Sequence, residues 1–509
     1  MLLQRLVQAH DRVRRTRSRN DKRDALAALL AEVPTEELPV VATYLSGRLR
    51  QRRTGLGWQS WGDPPAAAEA ATLTVADVDS AFAAMAAASG QGSRGSRAGL
   101  LADLLRRATA QEQDYLRALA TGEVRQGALD SVLLDAIAAA TGVPATIVRR
   151  AAMFTPSSGD VALAAATGGV QALESIGLQP GRPVRPMLAS TAPDVAAALA
   201  TILAGTACYV DRKLDGVRVQ VHRVGDDVRV YTRSLDEITE RLPGVVAAAR
   251  ALPCDQVVLD GEVLIVEDGR PRPFQETASV VAQQAAAGDA RLAVSYFDLL
   301  HLDGEDLLDR HLADRLERMT AVLPQDQVVP RAHLSDASDP AQEAHATAFF
   351  EETIAAGHEG VVVKDASAPY AAGRRGGSWV KVKPRHTLDL VVLAVEWGSG
   401  RRQGLLSNIH LGARGEDDEP VMLGKTFKGM TDEMLRWQTE RFLALETSRS
   451  GHVVHVRPEQ VVEIAFDGVQ RSTRYPGGVA LRFARVLRYS DDKPVTEIDT
   501  LESVRRLLT

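Results

Sequence analysis

From Met1 to about Gly168, alanine and leucine recur at helical spacing, as in DALAALLAEV, AAMAAA and LLADLLRRATA, and aromatic residues are scarce. This predicts a helical region. GLQPGRPVR, Gly177 to Arg185, crowds two prolines and two glycines into a short span, which suits a linker and predicts a boundary near residue 180. Beyond it the texture changes to short β-branched runs: VRVQVHRV, VRVYTRS, QVVLDGEVLIV, LAVSYFDLL, GVVVKDA and WVKVKP read as strands, interleaved with the Ala-rich helices DVAAALATILAG and PGVVAAARAL. From about Arg385, LDLVVLAVEWG, GLLSNIHLGAR, EPVMLGKTFKG, HVVHVRPEQVVEIAFDGVQ and VALRFARVLRY alternate as the strands of a small β-barrel, with a helix near DEMLRWQTERFLAL. The pattern thus predicts a multidomain chain: all-α over 1–180, α+β with antiparallel sheets over 181–385, and a β-barrel over 386–509.

Composition narrows the partners. With 509 residues the chain is too long for one core, in line with roughly three or four units. A net charge of -6 argues against a uniformly basic coat for nucleic acid, so any such contact has to come from local arginine clusters. Two cysteines, Cys208 and Cys254, supply neither a disulfide framework nor a structural zinc site, and a reducing cytosol fits. The start, MLLQRLVQAH, lacks an apolar segment of signal-peptide length, and no run approaches about 20 apolar residues, so a cytoplasmic protein without a membrane segment is expected.

The candidate chemistry lies in the middle third. In YVDRKLDGVRVQV, Tyr209 to Val221, Lys213 stands just before a tight Asp-Gly turn, and Val217, Val219 and Val221 then alternate at strand period. A solvated surface hairpin fits this stretch, and so does a nucleophilic lysine whose pKa is lowered by Arg212, Arg218 and other cations. QVVLDGEVLIV sets Asp260 and Glu262 beside a glycine within a strand pair, and HEGVVVK sets Glu359 before a buried run ending in Lys364. Carboxylates from such distant segments can converge on Mg²⁺, a hard cation that favours oxygen ligands and keeps water and substrate phosphates in its shell. Lys381 and Lys383 share one strand face opposite Val380 and Val382, and two ammonium groups side by side repel unless an anion lies between them. Phe297 suits either the core or stacking on a base. His358 and Glu359 lack the second histidine of a zinc-protease helix, Gly424-Lys425-Thr426 lacks the first glycine of a P-loop, and no Gly-x-Ser-x-Gly elbow occurs.

Four turns in the helical region are rich in Arg, Ser and Gly: Thr16 to Arg23, Gln51 to Gly57, Gly90 to Arg97 and Thr121 to Gly127. Each suits an ordinary surface loop; together they also suit phosphates of a nucleic-acid backbone met through guanidinium and backbone N–H groups. In the last third Arg401, Arg402, Arg471, Arg474, Arg482, Arg485 and Arg488 lie on predicted strands and loops, giving either solvated exteriors or a DNA-facing surface.

The order KLDGVR, YTRSLDEITERLP, DGE, YFDLLHLDG, HEGVVVK and WVKVKP resembles the successive motifs of the ATP-dependent DNA ligases, members of the covalent nucleotidyltransferase superfamily. The resemblance covers almost the whole chain and is greatest to compact actinobacterial ligases without appended nuclease or polymerase domains. TGEVRQGALDSVLLDAIA is similar to part of the family's helical DNA-binding domain, RPMLA to the entry of its adenylation domain, and the C-terminal strands to its OB domain. The resemblance implies that Lys213 attacks the α-phosphate of ATP to form a lysyl-adenylate. It also implies that Arg218 and Arg233 hold ribose and phosphate, that Phe297 stacks on adenine, and that Glu262 and Glu359 serve nucleotide and metal. Arg375, Lys381 and Lys383 would neutralise the triphosphate. The implied substrates and partners are ATP, Mg²⁺ or Mn²⁺, and nicked duplex DNA, handled by a monomer, with Asp389 near a pivot between nucleotide-loading and DNA-clamping arrangements.

The chain departs from the pattern at two places. Asp211 stands two residues before Lys213, where the family usually has a glutamate that reads the adenine amino group. The family's Arg-x-Asp-Lys is here Ser490, Asp491, Asp492 and Lys493, which leaves Arg488 or Lys493 to compensate. An RNA-type ligase of the same superfamily and a non-catalytic nucleic-acid clamp are the rival readings. The helical region with its basic turns favours DNA. A four-cysteine zinc site, usual in NAD-dependent ligases, cannot be built from two cysteines.

Overall fold

A computed structural model of the chain describes residues 1–509 except 17, 52–53, 125–128, 156, 283–291, 374, 385, 400–401, 491–492 and 509, and the side chains of 58, 59, 129 and 375. Helices run from Leu3–Arg15 to Ser158–Glu174, their apolar stripes meeting in one core that includes Leu6, Tyr44, Phe82, Leu116 and Leu133. Their starts are fixed locally. Ser18 accepts a hydrogen bond from the Asp21 N–H, and Thr74 with Asp77 and Thr109 with Glu112 form reciprocal capping boxes.

Eleven strands follow: β1 (Leu188–Thr191), β2 (Cys208–Lys213), β3 (Val217–Val224), β4 (Asp227–Thr232), β5 (Gln256–Glu267), β6 (Arg270–Pro271), β7 (Leu292–Leu302), β8 (Glu305–Asp306), β9 (Arg331–Leu334), β10 (Gly360–Asp365) and β11 (Arg375–Val382). They make two sheets. One has the order β1-β11-β10-β2-β9, antiparallel except where β1 lies parallel to β11. The other is antiparallel, β4-β3-β5-β7-β8, with β6 on β5. Three residues, Leu214 to Gly216, carry the chain from β2 in one sheet to β3 in the other. The Asp-Gly turn is therefore no surface hairpin: it is the crossing between two sheets, and Lys213 sits at that crossing. A Cβ on Gly216 would lie 2.3 Å from the Val263 carbonyl oxygen, so only glycine fits there. The second Asp-Gly, at Gly261, makes no turn either, because β5 runs unbroken through it. Here glycine lets β7 approach, a Cβ meeting the Ser295 oxygen at 2.8 Å.

The last part holds β12 (His386–Trp397), β13 (Leu406–Arg414), β14 (Pro420–Thr426), β15 (Glu446–Ser450), β16 (Val453–Val456), β17 (Val461–Phe466), β18 (Gly468–Arg471), β19 (Val479–Arg482) and β20 (Arg485–Ser490). The long β12 pairs with β13, β16 and β17, and β17 with β20, giving a seven-stranded sheet. Helix Asp432–Ala444 packs Leu435 and Phe442 into its core beside Ile409 and Val454. The pairings of the described residues do not include one that closes the predicted barrel, and β18 and β19 form a separate pair. Among the described residues no helix is long and apolar enough to cross a membrane.

Candidate active site

The crossing from β2 to β3 opens onto a cleft of about 680 Å³ between the two sheets, lined by Asp211, Lys213, Arg218, Arg233, Glu262, Phe297 and Lys381 among others. Each arrives for a structural reason. The start of β10 lies beside the end of β2, with Gly360 opposite Lys213, so Glu359 reaches the lysine. Lys213 Nζ is ion-paired with the Glu359 carboxylate, which also takes Nζ of Lys383, just past the end of β11. Val380 and Val382 are buried on the other face of β11, leaving Lys381 and Lys383 on the side of the site. Glu262, on β5, accepts a hydrogen bond from the Gly216 N–H at 2.8 Å.

The electrostatics of Lys213 differ from the expected cationic surroundings. Burial alone would favour the neutral amine, but Glu359, Glu262 and Asp215 outweigh it and raise the pKa. Arg212 turns instead to Glu352, at 3.3 Å, and Arg218 to Asp260, so neither cation activates the lysine. Glu262 is pushed up to about 7 by burial, against the pull of Lys213. Burial acts the same way on Glu359, yet Lys213 and Lys383 prevail and hold it below the usual carboxylate range.

Farther in, Arg218 binds Asp260 through two nitrogens, at 3.0 and 2.7 Å, and donates to the Met187 carbonyl at 2.8 Å. Its guanidinium is thus fixed by protein partners, and Asp260 is an anchor for Arg218 beside the Tyr370 hydroxyl, 2.6 Å away, rather than a second cation ligand. Phe297 stands edge-on to Trp379 at 5.9 Å, with one ring partly open to the cleft. Lys364 Nζ lies 4.7 Å from the Phe297 ring centre and 4.1 Å from that of Trp379, pairing with Asp211 at 2.7 Å. Arg331 approaches the same carboxylate at 3.2 Å. Arg233 is exposed at the rim, with no hydrogen bond or ion pair among the described residues. The side chain of Arg375 lies outside the described residues, although its backbone opens β11.

Lys364, Trp379 and Tyr370 are parts of the site that motif reading left without a role. Lys364 carried a signal, since a lysine closing the apolar run GVVVK has to find a buried partner. Asp467 carried none, and Arg482 was read only as a solvated or DNA-facing arginine. They come from the C-terminal part, where Asp467 accepts from Lys383 at 3.3 Å and Arg482 from β19 pairs with Asp215 at 3.1 Å. Neither residue expected to compensate for Ser490 lines the cleft: Arg488 pairs with Glu463 and Lys493 with Asp389, both at 2.7 Å. Asp491 and Asp492 are outside the described residues.

The basic turns divide. Arg19 is paired with Asp135 at 2.7 Å, and Arg97 donates to the Met85 carbonyl at 3.1 Å and to that of Ala88, closing the end of helix Val75–Ala87. Both stabilise the helical part itself. Arg94 is exposed. Arg52, Arg53, Arg125 and Arg401 lie outside the described residues.

The family profile described as "ATP dependent DNA ligase domain" matches residues 186–383, the segment that builds the cleft. A "Probable DNA ligase" of Nocardioides sp. (strain ATCC BAA-499 / JS614) is 61% identical over 500 residues, covering 97% of this chain and 96% of its own. The chain belongs to the ATP-dependent DNA ligases. A "Probable DNA ligase" of Beutenbergia cavernae matches this ligase at 59% identity over 516 residues, with 100% and 99% of the two chains covered. "DNA ligase N terminus" matches residues 59–138 of the ligase and "ATP dependent DNA ligase C terminal region" residues 402–493. The solved structure of Pmar-Lig_PreS3 superposes with a TM-score of 0.64 at 18% identity, over 95% of this chain and 99% of that one, a likeness of fold. With all three regions matched to DNA ligases, neither an RNA-type ligase nor a non-catalytic clamp is favoured.

Proposed function

We propose that this ligase seals nicks in duplex DNA by way of an AMP group carried on Lys213. The observation that supports it is the pairing of Lys213 with Glu359 at a cleft that is also lined by Glu262, Lys381, Phe297, Asp211 and Lys364. Attack needs the neutral amine, so the Lys213 ammonium, held by Glu359, first gives up its proton to solvent. A bond forms from Nζ to the α-phosphorus of ATP, the α–β bridge breaks, and pyrophosphate leaves. Arg233, Lys381, Lys383 and Arg375 offset the charge that develops on it. Phe297 stacks on the adenine while Asp211, shorter than the usual glutamate, meets its amino group. AMP then passes to the 5′-phosphate at the nick, and the 3′-hydroxyl displaces it to form the phosphodiester.

Glu262 and Glu359 fit a hard divalent cation, Mg²⁺ or Mn²⁺, that keeps water and phosphate oxygens as its other ligands. Among the described residues no three His, Cys, Asp or Glu side chains form a cage, and such a cation does not require one. When bound it supplies positive charge to the phosphate oxygens. The chain reads as three units, 1–180, 181–385 and 386–509, the last of the OB type, acting as a monomer. The helical unit and the arginines of the last unit, Arg402, Arg471, Arg474 and Arg485 among them, track the DNA backbone. Incubation with radiolabelled ATP tests the core of this: wild type should retain covalent label and Lys213→Ala none. Label surviving in Lys213→Ala removes Lys213 as the nucleophile.

A further inference from the structure

Arg218 lines the cleft, its guanidinium 5.4 Å from the centre of the Phe297 ring, yet most of its donors are taken by the protein. A guanidinium carries five N–H groups. Nε donates to one oxygen of Asp260 at 3.0 Å, and Nη2 donates to the other at 2.7 Å and to the Tyr370 hydroxyl at 3.4 Å. Nη1 donates to the Met187 carbonyl at 2.8 Å. Among the described residues this leaves one N–H, on Nη1, for a ligand in the cleft. Its direction follows the plane of the guanidinium, and Asp260 and Met187 set that plane.

Tyr370 joins these two anchors. It lies between β10 and β11, is 1% exposed, and is not one of the residues that line the cleft. Its oxygen accepts from the Met187 N–H at 2.9 Å; a carboxylate has no proton to give, so the hydroxyl proton goes to Asp260, 2.6 Å away. Burial, reinforced by Asp260, holds the Tyr370 pKa well above its ordinary value, and that proton stays in place. The bonds close a ring: the Met187 N–H to Tyr370, Tyr370 to Asp260, Arg218 to Asp260, and Arg218 to the Met187 carbonyl. Asp260 and Met187 are each 1% exposed, so water has little access to replace any of these bonds. The tyrosine ring is fixed independently of its hydroxyl, edge-on to Trp379 at 5.8 Å, and its backbone N–H donates to the Leu308 carbonyl at 2.8 Å.

We propose that Tyr370 is a positioning residue, whose hydroxyl holds Asp260 and the Met187 peptide in fixed relation and thereby sets the orientation in which Arg218 meets the nucleotide. This rests on the reading of Arg218 as a ligand of the ribose and phosphate of ATP. Without the hydroxyl the two anchors lose their common partner, and Arg218 samples orientations of which only one suits the nucleotide. The loss therefore falls on binding of ATP rather than on the step at Lys213.

The experiment is self-adenylation of the full chain with radiolabelled ATP over a range of ATP concentrations, for wild type, Tyr370→Phe, Arg218→Lys and the double variant. Tyr370→Phe, which keeps the ring and removes only the hydroxyl, should raise the KM for ATP about tenfold, the scale of one hydrogen bond to a charged group, with the limiting rate within about twofold of wild type. Arg218→Lys should raise KM as well, and adding Tyr370→Phe to it should change KM by less than about twofold, because the group being oriented is gone. Tyr296→Phe is the control: Tyr296 is fully buried, its hydroxyl has no hydrogen-bond partner among the described residues, and its removal should leave KM unchanged. Asp260→Asn opens the same ring at another point and covers poor folding of Arg218→Lys; it should raise KM, and Tyr370→Phe should add little to it. An unchanged KM in Tyr370→Phe beside a raised KM in Arg218→Lys overturns the proposal and leaves Arg218 as a nucleotide ligand. A loss in Tyr370→Phe confined to the limiting rate or to the amount of protein labelled overturns it too, as does an equal rise of KM with and without Arg218. An unchanged KM in Arg218→Lys overturns both the proposal and that role of Arg218.

Discussion

Replacing Asp211 with alanine tests how the floor of the cleft is held. Asp211 and Lys364 are each 2% exposed and pair at 2.7 Å, with Arg331 reaching the same carboxylate. The substitution leaves a buried ammonium among Phe297, Trp379 and the Phe297 carbonyl, to which Nζ donates at 3.2 Å. Losing one partner of a buried pair costs about 3–5 kcal/mol, because the remaining charge is neither hydrated nor compensated. The loss should depend on pH in a definite sense. Burial lowers the Lys364 pKa in the intact protein and Asp211 opposes that shift, so removing Asp211 lowers it further. Between that depressed value and the ordinary lysine value the unfolded chain carries a proton that the folded chain lacks. In that window stability rises with pH, by up to about 1.4 kcal/mol per pH unit. Asp211→Ala should therefore be destabilised most near neutral pH and recover part of the loss toward about pH 10, where the unfolded lysine also becomes neutral. Urea unfolding followed by circular dichroism at several pH values measures this. A destabilisation under about 1 kcal/mol that is flat with pH would refute the idea that Asp211 compensates a buried charge.

Two further outcomes follow from the same electrostatics. Glu262 has a folded pKa raised to about 7 by burial, so folding takes up a proton between the unfolded glutamate value and about 7, and stability falls as pH rises through that window. Glu262→Gln should abolish that fall, leaving the metal-free variant up to about 3 kcal/mol more stable than wild type near pH 8, while self-adenylation drops; denaturant melts with and without the substitution give the comparison. Arg315 and Asp298 are fully buried and joined at 2.7 and 2.9 Å, so Asp298→Ala, which strands the guanidinium, should cost about 3–5 kcal/mol in a urea melt, whereas an exposed pair such as Arg106–Asp103 should be nearly silent.

What could be read in the chain was what is local to it. Strand period exposed six of the eleven strands described in the middle region, β3, β4, β5, β7, β10 and β11, and the motifs KLDGVR, DGE and HEGVVVK singled out Lys213, Glu262 and Glu359, of which Glu359 pairs with Lys213 and Lys213 and Glu262 line the cleft. Charge environment was misread, because it is set by which strands pair. Arg218 looked like an activating neighbour five residues from Lys213, but β3 lies beside β5, so it faces Asp260 instead. Likewise, the Asp-Gly signal that normally marks a hairpin marks here a crossing between sheets, since Val217 finds its partner in Val263 and not in β2.

The contacts invisible to motif reading are those that join different parts of the chain, and they share a property. Asp467 to Lys383 and Arg482 to Asp215 each join a residue of the C-terminal part to one of the middle part, through partly exposed ion pairs rather than through a shared apolar core. The residues of the C-terminal core, such as Ile409 and Phe442, form a cluster separate from the valines of the two middle sheets. Apolar packing between units would fix one arrangement, since it is costly to expose. Ion pairs at a quarter exposure are worth little individually and exchange readily for a phosphate.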